Sequence, residues 1–276
     1  MKIWKYAVAT LFLLAASFAL TLTSSLDDSF QIIACDIGQG DAILVTYKEV
    51  QILTDGGPGG SVLTCLDKYI PLWDREIELV VLTHPQLDHY GGLIEVLERF
   101  KVDTFLVSDF QASTQGHEAL RNALGGSGAR VVTPDTDTKI RVGMIYLDIL
   151  HPSRDASMVN VNDLSIVTIL TFKNFEAILT GDIGKKGIEE MLAKGVLRDV
   201  DYIKVPHHGS RTGLTAELLE ATTPEVAVIS LGKDNSYGHP HEEILKMLSD
   251  YGVTYFRTDE KGDIVVTSDG TSWRLK

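Results

Sequence analysis

The chain has 276 residues, 44% apolar and 23% charged, which excludes a disordered, collagen-like or coiled-coil protein and a polytopic membrane protein. Lysine and arginine number 25 against 38 aspartate and glutamate, a formal charge of -13 that counts against a non-catalytic nucleic-acid binder but not against an enzyme whose carboxylates hold cations. The two cysteines, Cys35 and Cys65, exclude a four-thiolate zinc site and a disulfide scaffold.

In chain order, Lys2 and Lys5 precede an uncharged run from residue 6 to residue 26. A basic flank before an apolar centre, with small residues at positions 17 and 19, reads as an export signal. The same run, over residues 6–22, is close to the length of a membrane anchor. The expected organisation is therefore a signal peptide or anchor over residues 1–26 and one domain over residues 27–276, extracytoplasmic and either secreted or anchored. One apolar segment is too little for a membrane channel. In an exported chain Cys35 and Cys65 could pair, but two separately buried thiols are the favoured reading.

Strands are predicted at residues 32–36, 42–46 and 51–54 as a meander, followed by a fully buried strand at 79–83 and a helix at 92–100. Residues 141–150 and 164–179 are β-rich, the latter hinged at Lys173 and Asn174. Helices at 185–193, 216–221 and 241–251 alternate with strands at 202–205 and 226–231, and further strands are expected near Thr254, Ile264 and Ser272. The pattern is α/β, with two sheets packed face to face and covered by helices.

Chemistry concentrates where the strand at 79–83 ends. His84, Asp88 and His89 fall within six residues of a turn made tight by Pro85, Gly91 and Gly92, so their side chains can converge on one ion. His207 and His208 stand before Gly209, and two adjacent histidines are hard to explain as core packing. His117 reads as an exposed helix position and His151 as structural.

The series Asp36-Ile-Gly-Gln-Gly-Asp41, Thr54-Asp55-Gly-Gly, Thr83-His84-Pro-Gln86-Leu-Asp88-His89, Leu179-Thr-Gly-Asp182, Lys204-Val-Pro-His207-His208-Gly-Ser210, Asn235-Ser-Tyr-Gly-His239 and Arg257-Thr-Asp259 resembles metallo-β-lactamase-fold hydrolases. More closely, it resembles the C-terminal domain of the competence and DNA-uptake protein ComEC and its stand-alone relatives, over about residues 30 to 270. The resemblance implies an αββα sandwich of two mixed sheets flanked by helices, with one or two divalent ions (Zn²⁺, Mn²⁺ or Mg²⁺) at its edge. Carried over by position, His84 would serve a first ion and Asp88 with His89 a second, Asp182 would bridge or complete the second, and His207 or His208 would close the set. Asp55 and Asp41 would support the ligands from behind.

Two departures from that pattern stand out. Gln86 replaces the histidine of most such hydrolases and the aspartate common in ComEC relatives, and a neutral amide oxygen is a weaker ligand. The third-motif histidine is missing, and Asp163, in an Asn-Asp segment, could supply an oxygen instead. An oxygen-rich set shifts preference toward Mn²⁺ or Mg²⁺.

The expected mechanism is metal-dependent hydrolysis, with a cation making hydroxide available near neutral pH. Asp88, His208 and His239 are the candidate catalytic groups, and Lys204, Arg211, Asn235 and His239 the candidate substrate contacts. The resemblance implies a nuclease or other phosphodiesterase acting on DNA. The alternatives are a hydrolase of another ester (lactone, or cell-wall phosphate or phosphocholine ester) and a metal-binding protein with little catalytic power. The sequence gives no sign of a protein partner.

Overall fold

The computed structural model describes residues 2–24, 29–108, 113–153 and 160–276. Helix α1 (Lys2–Ser24) precedes the strands β1 (Phe30–Ala34), β2 (Ile43–Tyr47) and β3 (Val50–Thr54), then α2 (Ser61–Tyr69), β4 (Glu76–Leu82), α3 (Leu87–Arg99), β5 (Lys101–Val107), α4 (Gln115–Ser127) and β6 (Arg130–Val132). The second half runs β7 (Lys139–Val142), β8 (Ile145–His151), β9 (Val167–Phe172), β10 (Phe175–Leu179), α5 (Lys185–Lys194), β11 (Tyr202–Lys204), α6 (Ala216–Thr222), β12 (Val226–Ile229), α7 (Glu242–Asp250), β13 (Thr254–Arg257), α8 (Thr258–Lys261), β14 (Ile264–Ser268) and β15 (Trp273–Leu275).

These strands form two mixed sheets, ordered β15-β14-β1-β2-β3-β4-β5-β6 and β13-β12-β11-β10-β9-β8-β7. Three apolar layers explain why they stack. Ile32, Ile43, Val81, Leu147, Leu170 and Tyr202 fill the space between the sheets. Leu44 and Val80 face outward against Leu66, Leu93, Val96 and Leu120 of α2, α3 and α4. Ile178 and Ile203 do the same on the other side, against Ile188, Leu218 and Ile244 of α5, α6 and α7. The period-2 alternation within each strand assigns one set of side chains to each layer. The architecture is the αββα sandwich that the resemblance implied.

The predicted meander is present as antiparallel β1, β2 and β3, and the hinge at Lys173 and Asn174 is the turn between β9 and β10. Helix α1 occupies the apolar run at the start of the chain, with Trp4, Leu11, Phe12 and Leu13 exposed. Among the described residues, no helix is long and apolar enough to cross a membrane.

The reading of Cys35 and Cys65 as separate thiols is corrected: they form a disulfide with Cα atoms 5.9 Å apart. It ties the end of β1 to the middle of α2, a pairing across 30 residues that no local signal announces. In the chain-entropy account such a loop closure stabilises by about 3–4 kcal/mol. It also anchors the turn that carries Asp41.

Two glycines set the approach of the loops that build the site. A side chain on Gly40, which has φ +125°, would meet the Asp88 carbonyl oxygen at 2.1 Å, and one on Gly92 would meet that of Gly56 at 2.1 Å. Backbone bonds close these contacts, from Asp41 N to Asp88 O (3.2 Å) and from Gly56 N to His89 O (2.7 Å).

Candidate metal centre

His84 follows β4 and Asp88 and His89 open α3; Asp182 follows β10, and His207 and His208 follow β11, so all lie past the C-terminal ends of strands, on one edge of the sandwich. Both His207 and His208 have left-handed backbones, φ 52° and 53°, in a position L-residues occupy at a cost of about 1–3 kcal/mol each. That cost turns both rings toward Asp182.

The hydrogen-bond partners of three imidazoles fix their tautomers. Thr83 gives its one hydroxyl proton to Asp55 Oδ2 (2.8 Å), so the same oxygen can only accept from Nδ1–H of His84 (3.0 Å). Nδ1–H of His89 donates to Asp55 Oδ2 (2.8 Å), and Nδ1–H of His208 to the Ser230 carbonyl (2.9 Å). Each neutral ring therefore carries a bare lone pair on Nε2. All three Nε2 atoms are buried and have no hydrogen-bond partner. Leaving such atoms unsatisfied would cost about 1–3 kcal/mol apiece unless an ion takes them up or, for His89 and His208, a proton facing Asp182 does.

Asp182 Oδ2 is the centre of the set, 3.5 Å from His89 Nε2 and 3.4 Å from His208 Nε2. Asp88 Oδ2 lies 3.6 Å from His208 Nε2 and 4.0 Å from His89 Nε2. Four donors around a tetrahedral ion with bonds near 2.1 Å would stand roughly 3.4 Å from one another. The donor types and spacing fit a divalent cation. His84, His89 and Asp182 form a second, overlapping group. His207 stands at the rim, its Nε2 3.7 Å from Asp182 Oδ2.

Charge is balanced internally. Burial works against ionised His89, but the Asp182 and Asp55 carboxylates outweigh it and lift the ring to about 10. His208 is likewise raised, burial being overcome by Asp182 and Asp41. His84, buried and beside His89, falls to about 3 and stays neutral. Because His89 titrates above its free value of 6.5, it stabilises the metal-free fold below that pH, and this contribution is lost as pH climbs to about 10. Ion entry must displace the protons on His89 and His208, so affinity should rise with pH across the neutral range. Calorimetric zinc titration in buffers of different ionisation enthalpy should count about two protons released per ion. A count of zero would contradict the protonated pair.

Several sequence expectations are redirected. Lys204, expected at the substrate, is buried: it shares the inner face of β11 with Tyr202, and its Nζ pairs with Asp41 Oδ2, donates to Gly181 O (3.1 Å) and lies 3.6 Å from Asp182 Oδ1. Burial is outweighed there by Asp41 and Asp182, which hold the ammonium above its usual range. Arg211 pairs with Glu243 (3.2 Å). Asn235 spends its amide on its own turn, donating to Gly232 O (3.0 Å) and His239 O (2.8 Å). Asp163 closes a capping box with Asn160 and belongs to none of the metal-compatible groups among the described residues. His117 is not merely an exposed helix residue, since its Nε2 meets the Pro85 carbonyl (2.9 Å) and braces the ligand turn. Asp55 and Asp41 lie behind the histidines, Asp41 Oδ1 being 3.4 Å from His208 Nδ1. His239 packs its ring 5.8 Å from His207. Thr83 and the Ser230 carbonyl were not foreseen; only the threonine beside His84 offered a sequence signal.

Gln86 stands beside His84, with which its side chain interacts, while its Nε2 donates to Asn162 Oδ1 (2.9 Å), with Asn162 Nδ2 3.4 Å from His207 Nδ1. In the metal-compatible group that contains His84, the carboxylate is the shared Asp182 and Gln86 adds only a neutral amide beside it. Gln86→Asp should therefore raise the retained metal from about one ion per chain toward two after dialysis, read by plasma mass spectrometry. Identical metal content in both proteins would contradict this.

The metallo-beta-lactamase superfamily model matches residues 35–233. The chain is 26% identical over 267 residues to ComE operon protein 3 of Bacillus subtilis, covering 90% of this chain and 34% of that protein. It is 27% identical over 244 residues to Recombination protein 2 of Haemophilus influenzae, covering 86% and 29% respectively. The chain thus spans about a third of the length of these relatives. The metallo-beta-lactamase fold protein YhfI of Bacillus subtilis shares the fold, with a TM-score of 0.61 at 12% identity, over 87% of this chain and all of that one.

Proposed function

The chain belongs to the metallo-beta-lactamase superfamily, and on that premise we propose that it is a metal-dependent phosphodiesterase that cleaves DNA outside the cytoplasm. The observation that carries the metal chemistry is the convergence of the buried Nε2 atoms of His89 and His208 on Asp182 and Asp88, with His84 grouped with His89 and Asp182. Asp88, His89, Asp182 and His208 would hold the ion, with His84 beside it. A divalent cation there supplies Lewis acidity, making water nucleophilic near neutral pH and drawing charge from a phosphoryl oxygen.

The protein's own groups do the rest. Asp55 and the Ser230 carbonyl lock the rings of His89 and His208, so neither turns away during turnover. Asp88 is the most exposed member of the quartet, its side chain 29% accessible against 2% or less for the others. Asp88 would help hold the ion, and as the most exposed carboxylate there it is the group that could accept a proton from a water beside the site. His239, 5.8 Å from His207, is pushed down to about 4 by burial and the neighbouring histidines, so it would meet a leaving group as a neutral hydrogen-bonding ring.

DNA as substrate is supported by the likeness to Recombination protein 2 and by the resemblance of the ordered motifs to the DNA-uptake family. Action outside the cytoplasm is supported by the basic and apolar start of the chain and by the Cys35–Cys65 disulfide, a bond rare in reducing compartments. The test is cleavage of single- and double-stranded DNA, a small phosphodiester and a lactone, with Mn²⁺ or Zn²⁺. Cleavage of DNA by the wild type, lost in Asp182→Asn, is expected. Turnover of the lactone alone would end the nuclease reading.

A further inference from the structure

The turn between β12 and α7 is held open by its own asparagine. Besides donating to the carbonyls of Gly232 and His239, Asn235 accepts from His239 N at 3.0 Å, so both flanks of the turn are pinned. What the pinned turn presents is Tyr237, 65% exposed. Its ring lies over His239 with centroids 5.7 Å apart and planes 23° from parallel. His239 in turn packs 5.8 Å from His207, whose Nε2 is 3.7 Å from Asp182 Oδ2. A row of flat rings thus leads from solvent to the metal centre.

Of the charges expected to grip a polyanion, two are engaged elsewhere and Lys233 alone stands exposed in the turn itself. Lys204 is buried on Asp41 and Arg211 pairs with Glu243, on a chain with a formal charge of -13. Phosphate neutralisation, the usual source of nucleic-acid affinity, is therefore weak here. Every base offers a π-face regardless of its sequence, and an exposed tyrosine on a pinned turn is the side chain that uses it.

We propose that Tyr237, backed by His239, is a stacking platform for a nucleobase of single-stranded nucleic acid whose adjoining phosphodiester lies at the metal centre. The proposal rests on the phosphodiesterase reading and adds strand type and a specificity residue. A duplex keeps its bases stacked on one another, so the platform selects single strands. Binding is driven by the ring faces and by the ion, not by a basic groove, and it should depend only weakly on salt.

The test compares metal-loaded full-length protein with fluorescent phosphorothioate oligodeoxynucleotides of equal length, one with bases and one abasic, by anisotropy. The wild type should bind the strand with bases about tenfold more tightly. Tyr237→Ala should erase that preference and Tyr237→Trp should keep it, with unchanged metal content showing that the site is intact. Equal affinity of the wild type for both strands, or a preference surviving in Tyr237→Ala, overturns the proposal. Binding of neither strand overturns it together with the nucleic-acid reading, whereas DNA cleavage without base preference removes the platform alone.

Discussion

Replacing Asp182 by asparagine should cost the protein its tight metal and its hydrolytic activity together. The carboxylate supplies the one oxygen that lies 3.4 to 3.7 Å from three imidazole nitrogens, of His208, His89 and His207. An amide keeps the shape but removes the charge, and half of the formal charge in the Asp88, His89, Asp182 and His208 quartet goes with it. Loss of an outer partner of a metal ligand costs about 10- to 100-fold in affinity, so loss of a ligand charge should exceed the upper figure. Burial would push the Asp182 carboxyl up, but His208 and His89 outweigh it and hold it ionised well below the usual range. Its contribution to metal-free stability is thus present at neutral pH and lost only in acid. The variant should therefore unfold somewhat more readily, by about 1–3 kcal/mol, without losing its fold. Metal content by mass spectrometry, beside DNA cleavage, separates the two effects. Full metal retention with full activity would remove Asp182 from the site.

What could be read from the sequence was what local spacing encodes. His84, Asp88 and His89 lie on one turn, and the tandem at 207 and 208 carries a signal that core packing cannot mimic. The continuous apolar run of β4 and the hinge between β9 and β10 were legible for the same reason. Long-range juxtapositions were not. The disulfide joins the end of β1 to α2, and the Lys204–Asp41 pair joins β11 to the turn after β1. A lysine before a double-histidine motif looks like a substrate contact until its strand is known to be buried on both faces. Its inward direction then follows from Tyr202 two residues earlier. The motif letters around Asn235 and His239 were visible, but not that the asparagine is consumed by the turn and that the tyrosine between them is what it displays.

Lys204→Met should produce the largest change in stability. Methionine keeps an unbranched stem of similar length and removes the ammonium. In the wild type that ammonium lies against Asp41 Oδ2 and 3.6 Å from Asp182 Oδ1, all three side chains being 1–2% exposed. Deleting one partner of a buried pair leaves the other as an uncompensated charge, at about 3–5 kcal/mol. At roughly 2–4 °C per kcal/mol for a domain of this size, the metal-free Tm should fall by roughly 10 °C. A divalent ion beside Asp182 would return positive charge to the same carboxylates, so zinc should raise the Tm of Lys204→Met by more than it raises that of the wild type. Calorimetric unfolding of both proteins, with and without zinc, measures the difference. Equal metal-induced shifts would mean that Lys204 only fills space. A smaller shift in the variant would mean that the ammonium is needed to aim Asp182 Oδ2 at the ion, because the carboxylate freed from Lys204 then rotates out of the quartet.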